Sequence, residues 1–375
     1  MLSPPSFAPS HIVPNLTLYS RRTVASAAAA TAASPSPAGG HGRRPLRYAV
    51  LGAGFAGLSV AWHLLKVTLH FPSSFSPVKL LWRGAEFWKE SMDLLRSAEQ
   101  ANGTSVSNTT SQDDNLIWRR QCMHLCSYFY MPLALNINPK KYLQALFSAC
   151  QNLADEASSL PSEQKEIKLY KQHVDNLHLL AGNYDSVIIC LGAKACSLPE
   201  LANKLPLRTC RGVIAEFQLP STTVEEYDSQ SASILSDAWL AFQGPRTVSI
   251  GSTWQWISEN DSSTVSDEES LTAIEELLPK ASGVYPRISK WDFVRARAGI
   301  RAMPPLTTNG SLPLLGCLDD LLGNKSNCTF WLVGGLGARG LLYHGLVGKL
   351  TAKAAISCNE NIIPSEFTCW NIVKP

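Results

Sequence analysis

No Asp or Glu stands before Glu86 in this chain of 375 residues. Its first 46 residues carry four arginines, Arg21, Arg22, Arg43 and Arg44, and no lysine. They are rich in Ser, Ala and Pro, with the run Ala25-Ser26-Ala27-Ala28-Ala29-Ala30-Thr31-Ala32-Ala33 at the centre. An acid-free, hydroxyl- and Ala-rich start of this kind has the composition of an organellar transit peptide and lacks the compact apolar block of a secretory signal. The bias favours a chloroplast, with a mitochondrion or the cytoplasm as alternatives. Residues 1–46 are thus expected to be a transit peptide or a disordered tail outside the fold.

An excess of positive charge is also lacking in the body. Without those four arginines, 29 basic residues face 30 acidic ones. A near-neutral body argues against binding nucleic acid by bulk charge. Ten cysteines are present, but none forms a CxxC pair, and Cys122 and Cys126 beside His124 have no second pair to complete a zinc site. Buried free thiols are the expectation. No transmembrane span is expected either. The apolar stretches 48–65 and 330–350 are interrupted by closely spaced glycines, and the second also by Arg339 and Lys349. The remaining composition, 45% apolar and 17% charged, is that of a folded protein of about two domains.

What is present begins with a strand-like run, Arg47-Tyr48-Ala49-Val50-Leu51, that enters Gly52-Ala53-Gly54-Phe55-Ala56-Gly57 and then a helical stretch to Leu65. Gly-x-Gly-x-x-Gly between a strand and a helix is the dinucleotide-binding fingerprint. Gly52 serves the tight turn, Gly54 the approach of a pyrophosphate, and Gly57 the packing of helix on strand. A glycine-rich structural turn is the other reading. The acid that should end a second strand about 20 residues on, to hold ribose hydroxyls, is missing: Lys66–Pro77 contains none, and Pro72 and Pro77 spoil a central strand.

The same grammar returns near the C-terminus. Thr329–Val333 reads as a strand, Gly334-Gly335-Leu336-Gly337-Ala338-Arg339-Gly340 as a glycine loop, and Leu341–Ser357 as a helix. Between the two loops, Tyr184–Leu191 reads as a buried strand ending in Gly192-Ala193. From Arg208 to Trp256 the pattern changes to short strand-like runs, and a helix ending near Leu278 follows an acidic, Ser-rich loop.

Together these pieces resemble the D-amino-acid oxidase/glycine oxidase family of FAD-dependent oxidoreductases. The likeness is nearest to the FAD domain of bacterial bifunctional enzymes that modify the wobble uridine of tRNA and to their plant plastid-like relatives. It is carried by Gly52-x-Gly54-x-x-Gly57, by Ile188-Ile189-Cys190-Leu191-Gly192-Ala193, by Arg297-Ala298-Gly299-Ile300-Arg301 with Pro313-Leu314-Leu315-Gly316, and by Gly335-x-Gly337-x-Arg339-Gly340-Leu341. The resemblance implies an α/β (mixed α+β) chain. A discontinuous Rossmann-like FAD-binding domain spans 47–207 and 295–375, and a mainly antiparallel-sheet substrate domain spans 208–294.

The resemblance also implies FAD as cofactor and oxidation of a C–N bond in an amine or amino acid. A hydride passes to flavin N5, the imine product hydrolyses, and O2 reoxidises the flavin to give peroxide. The FAD-binding residues it implies are Gly52, Gly54, Phe55, Ala56, Gly57, Gly192, Gly335, Leu336, Gly337, Ala338, Arg339, Gly340 and Leu341. Arg301 matches the family's anchor for a substrate carboxylate, with a structural ion pair as the other reading; Arg339 matches a loop arginine near the flavin's pyrimidine end, or is a loop salt bridge. The family's acid-ended second strand and its Gly/Ser-rich flavin loop have no counterpart between Leu65 and Lys79. A truncated, FAD-deficient or non-catalytic isoform is therefore the alternative function.

Overall fold

The computed structural model describes residues 14–20, 46–66, 83–101, 118–120, 135–158, 165–223, 233–244, 246–256, 263–307 and 310–371. The acid-free stretch 67–78, the Cys122–Cys126 pair and most of residues 1–46 lie outside the described residues. In chain order the elements are β1 (Pro14–Ser20), β2 (Leu46–Leu51), α1 (Phe55–Lys66), α2 (Arg83–Ala101), β3 (Trp118–Arg120), β4 (Leu135–Ile137), α3 (Pro139–Ser158), β5 (Lys165–Lys171), β6 (Ser186–Ile189), β7 (Arg208–Gln218), β8 (Trp239–Gly244), β9 (Thr247–Gly251), α4 (Asp267–Val284), β10 (Asp292–Met303), β11 (Leu314–Cys317), α5 (Asp319–Leu322), β12 (Thr329–Gly334), α6 (Gly340–Ser357) and α7 (Ser365–Thr368).

The first sheet has the order β11-β12-β6-β2-β1-β5. Its centre, β12-β6-β2, is parallel, with Tyr48 and Thr329 both opposite Ser186. Such strands are covered on both faces, which is why they read as unbroken apolar runs. Tyr48, Val50, Ile188, Trp331 and Val333 pack against α1, α2, α3 and α6. Ala49, Leu51, Val187, Ile189, Phe330 and Leu332 face Leu177, Leu198 and Leu201 on the other side.

One element departs from the sequence reading. Residues 1–46 are expected to stand outside the fold, yet Pro14–Ser20 pairs antiparallel with both β2 and β5. Without a strand between them, β2 and β5 would each present a row of unpaired backbone N–H and C=O groups. The domain division also shifts. β10 lies wholly in the second sheet and runs to Met303, so a boundary at 295 cuts through it.

Helix α1 is enclosed on every side, each residue from Ala56 to Leu65 being buried. Burying each of its Leu or Val side chains contributes roughly 1.5–3 kcal/mol. Its close neighbour is α6, whose packing depends on two glycines. A Cβ at Gly348 would meet Ser59 Oγ at 2.2 Å, Cβ at 2.8 Å and its carbonyl carbon at 2.9 Å; one at Gly345 would meet the α2 backbone at Ser91 N, 2.6 Å away. At that range side chains reach the neighbouring helix's backbone. Ser59 Oγ donates to His344 O (2.7 Å), Ser91 Oγ donates to Leu342 O (3.0 Å), and His63 Nε2 lies 3.1 Å from Gly345 O. The α1 C-terminus is closed by Lys165, whose Nζ donates to Leu65 O (2.7 Å).

The second sheet, β10-β7-β9-β8, is antiparallel. One face, with Ala215, Phe217, Leu240, Phe242, Val248 and Ile250, packs on Leu277 and Ala281 of α4. Buried Arg211 ties β7 to the first turn of α4 through both oxygens of Glu269 (2.9 and 3.0 Å). The opposite face carries Gly212, Ile214 and Glu216 of β7 opposite Gly299, Arg297 and Arg295 of β10.

Two predictions follow from the α1–α6 contact. Gly348→Ala gains about 1 kcal/mol of helix propensity and loses about 3 kcal/mol by overpacking against Ser59, so the urea midpoint falls. The cost shrinks in a Ser59→Gly background; an equal cost in both backgrounds would show that Ser59 is not the obstacle. The second concerns acid. Burial, with the Lys349 charge behind it, lowers His63 to about 3, and burial lowers His344 to about 4. The unfolded chain takes up protons near pH 6.5 that the folded chain refuses. Stability is therefore complete above pH 6.5 and is lost as pH falls toward 4, at about 1.4 kcal/mol per pH unit for each histidine. Urea midpoints measured from pH 7 to pH 5 should show this slope, and His63→Gln should reduce it.

Candidate functional site

The parallel strands β2, β6 and β12 finish at the same edge of the first sheet, and each runs into a glycine turn there. This convergence beyond the carboxyl ends of the strands is where open α/β sheets bind ligands. At Gly52 the backbone takes φ +100°, and a Cβ would lie 2.6 Å from Cys190 O. A Cβ at Gly57 would lie 1.8 Å from Gly52 O. The two glycines let the turn press on β6 while α1 starts directly beneath it, with Leu58 N donating to Gly54 O (3.0 Å).

The result is a cavity of about 460 Å³. Gly52, Ala53, Gly54, Phe55 and Ala56 line it from the first loop, Cys190 to Ala193 from the end of β6, and Val333, Leu336, Gly337 and Gly340 from the last loop. Ile300, Arg301 and Ala302 of β10 close it from the second sheet. Two helix N-termini, of α1 and α6, reach its wall through Ala56 and Gly340. Their free N–H groups and partial positive charge favour an anionic group. Phe55 is held in place by Tyr142 and His344, ring centroids 6.0 and 5.7 Å away, and these two are joined at 2.7 Å between Oη and Nε2. Burial pushes the Cys190 thiol well above its usual range, so it stays protonated and is no thiolate nucleophile.

Gly54 is unlike its neighbours. Its φ is not in the left-handed region, and a Cβ built on it meets nothing within 4 Å. The protein's own packing gives no reason for a glycine there. Gly54 lines the cavity, and a glycine at this position is what the approach of a pyrophosphate to the first loop requires.

Arg301 is the single charged residue among the described residues that line the cavity. Its Nη2 donates to Ser252 Oγ (2.5 Å), and its guanidinium lies 4.7 Å from the centre of the Trp254 ring. It rests over Gly212, where a Cβ would meet Nη1, Nη2 and Cζ at 2.5–2.8 Å. Nη1 is buried and finds no hydrogen-bond partner among the described residues. The two arginines before it on the same strand are occupied elsewhere: Arg295 and Arg297 both pair with Glu216. A cation with no ion pair among the described residues and one desolvated N–H, on a residue of the cavity wall, is suited to receive an anion.

The sequence-derived set divides here. Gly52, Gly54, Phe55, Ala56, Gly192, Leu336, Gly337, Gly340 and Arg301 meet at the cavity, whereas Gly57, Gly335, Ala338, Arg339 and Leu341 do not line it. Gly57 works underneath the loop, and Gly335 packs against Leu314, Pro304 and Leu207. Ala338 and Arg339 are exposed, and Arg339 Nη1 donates to Tyr343 Oη (3.1 Å). Gly212, Ser252 and Trp254 are the residues that sequence reasoning missed. They belong to β7 and to the segment after β9 and show no local motif, and only the alternation of β7 marks Gly212 as lying on the open face. Among the described residues no group of three or more His, Cys, Asp or Glu is placed to hold a metal ion, and no helix is long and apolar enough to cross a membrane.

Comparison with known proteins bears on the same cavity. The family described as FAD dependent oxidoreductase (DAO) matches residues 79–354. Three solved structures share the fold. They are glycine oxidase from Geobacillus kaustophilus (TM-score 0.54, 15% identity, covering 85% of this chain and 96% of that one), L-proline dehydrogenase from P. horikoshii (0.53, 14%, 86% and 96%), and iminodiacetate oxidase from Chelativorans sp. BNC1 (0.51, 15%, 85% and 98%). No curated protein sequence matches.

Gly54→Val tests the loop. A Cβ there meets nothing within 4 Å and Gly54 lines the cavity, so with a branched side chain bound flavin per chain should drop severalfold or more while circular dichroism stays unchanged. A folded variant that keeps its flavin would remove Gly54 from the site.

Proposed function

The chain belongs to the FAD dependent oxidoreductase (DAO) family, and we propose that within it the protein oxidises the C–N bond of an amine or amino acid whose carboxylate is held by Arg301. It is an FAD-dependent enzyme. The observation that carries the substrate side of this reading is Arg301 itself, a cation on the wall of the cavity that the glycine loops line, whose buried Nη1 has no hydrogen-bond partner among the described residues.

The first loop, Gly192 and the last loop would hold FAD, with Gly54 beside the pyrophosphate and the N-termini of α1 and α6 supplying N–H donors. FAD supplies the two-electron acceptor for hydride from the substrate's α-carbon, and O2 is the proposed terminal oxidant. The protein's own part is placement. Ser252, the Trp254 ring and the space over Gly212 fix the guanidinium, which can then grip a carboxylate through two parallel N–H bonds. With the carboxylate fixed, the α-carbon is presented in one orientation, which lowers the entropic part of the barrier. Ile300, Ala302, Val333 and Leu336 give the cavity an apolar wall that keeps water from competing for the guanidinium.

The sequence likeness to FAD domains acting on the wobble uridine of tRNA makes N-substituted glycines, beside plain amines, the first substrates to screen by peroxide release. A second reading, a family member that does not retain FAD, is favoured by one observation. The strand beside β2 is the antiparallel β1, Pro14-Asn15-Leu16-Thr17-Leu18-Tyr19-Ser20, which contains no acid for the ribose. The absorbance spectrum of the purified protein separates the two, since retained flavin colours it yellow.

Arg301→Leu should lower kcat/KM for carboxylate substrates by roughly 30- to 1000-fold, the equivalent of about 2–4 kcal/mol, with flavin content unchanged. Arg301→Lys should restore part of the loss, because a point charge cannot reproduce the fork. Gly212→Ala, which adds only a methyl group beneath the guanidinium, should cost less than Arg301→Leu and act in the same direction. Normal kinetics in a less stable Arg301→Leu protein would instead identify a framework arginine.

A further inference from the structure

The segment after β9 displays two tryptophans on alternate residues. Trp254 is 46% exposed and Trp256 44%, although an indole has much to gain from burial. Their rings stack, with centroids 5.9 Å apart and 27° between planes. A guanidinium lies over each: Arg301 is 4.7 Å from the Trp254 ring, and Arg208 is 5.0 Å from the Trp256 ring. The backbone that carries them is fixed. Gln255, between them, exchanges both backbone hydrogen bonds with Arg211 (2.9 Å each), and Arg211 is itself locked to Glu269.

Steadying Arg301 requires one indole. Trp256 carries Arg208, not Arg301, over its ring and extends the stack beyond Trp254. The arrangement is a rigid, solvent-facing π surface that starts at the cavity's cation and ends at a second one. Surfaces of this composition bind flat rings by stacking, with flanking guanidinium groups adding to the attraction. An aliphatic group of equal size gains only the area term.

We propose that Trp254 and Trp256 form a specificity subsite for a planar aromatic ring carried on the amino-acid substrate, with Arg301 on the substrate's carboxylate and Arg208 at the far end of the ring. The proposal rests on the Arg301 reading, so its test must separate the two.

Calorimetric titration of the flavin-loaded full chain with inert probes does so. Phenylacetate should bind about tenfold more tightly than cyclohexylacetate, which matches it in size and charge but offers no π face. Trp256→Leu should bring that ratio to near one while leaving the affinity for acetate unchanged. An equal affinity for the two ring acids in the wild type, or a preference that survives in the Trp254→Leu/Trp256→Leu double variant, would overturn the subsite. Benzyl alcohol, which has the ring without the charge, separates the premises. If it binds, no carboxylate does, and Trp256→Leu abolishes its binding, the ring subsite stands and the Arg301 reading falls. If no probe binds at all, both fall.

Discussion

Backbone meeting backbone with no side chain between is the constraint on which the site depends. Gly57 lies so close to the Gly52 carbonyl, and Gly52 so close to the Cys190 carbonyl, that one added carbon at either would drive α1 or the first turn away from the sheet. Gly348 and Gly345 impose the same demand one layer out, seating α6 on α1 and α2. These contacts are why two helix starts and three strand ends reach a common edge. Since interiors are packed to crystal density, a shift at any of them would be felt at the cavity wall.

Two features of the site are left incomplete by the protein itself. Among the described residues, Gly54 is a glycine that no neighbour requires, and Arg301 is a cation with a buried N–H that no neighbour satisfies. A buried polar hydrogen without a partner costs about 1–3 kcal/mol, and a needless glycine in a loop adds entropy to the unfolded chain. Both costs are borne at the same cavity, from opposite sheets. On the proposed reading, the cofactor accounts for the first and a substrate carboxylate for the second.

Much of this was legible in the sequence, for identifiable reasons. Parallel strands covered on both faces must be apolar throughout, so β2, β6 and β12 announce themselves, and the glycine turns mark where they stop. Arg301 was legible only through family likeness, because the groups that support it, Gly212, Ser252 and Trp254, lie on β7 and in the segment after β9 with no shared spacing. Arg339 is placed near the flavin by motif; in the fold it lies outside the residues that line the cavity, and its Nη1 donates to Tyr343 Oη. The pairing of Pro14–Ser20 was not legible at all. Composition says what a segment is made of, whereas strand pairing is decided by which edges elsewhere in the chain lack a partner.

The two sheets contribute different classes of contact to one cavity. Every glycine-loop residue at its wall comes from the ends of the first sheet, while the groups assigned to the substrate come from β10, β7 and the segment after β9. If the proposed roles hold, sequence change on the open face of the second sheet would alter what is oxidised while the redox half is kept. On the proposed reading, such a division would locate where chains acting on other substrates differ first: at positions 254, 256 and 208, before 52, 54 and 57.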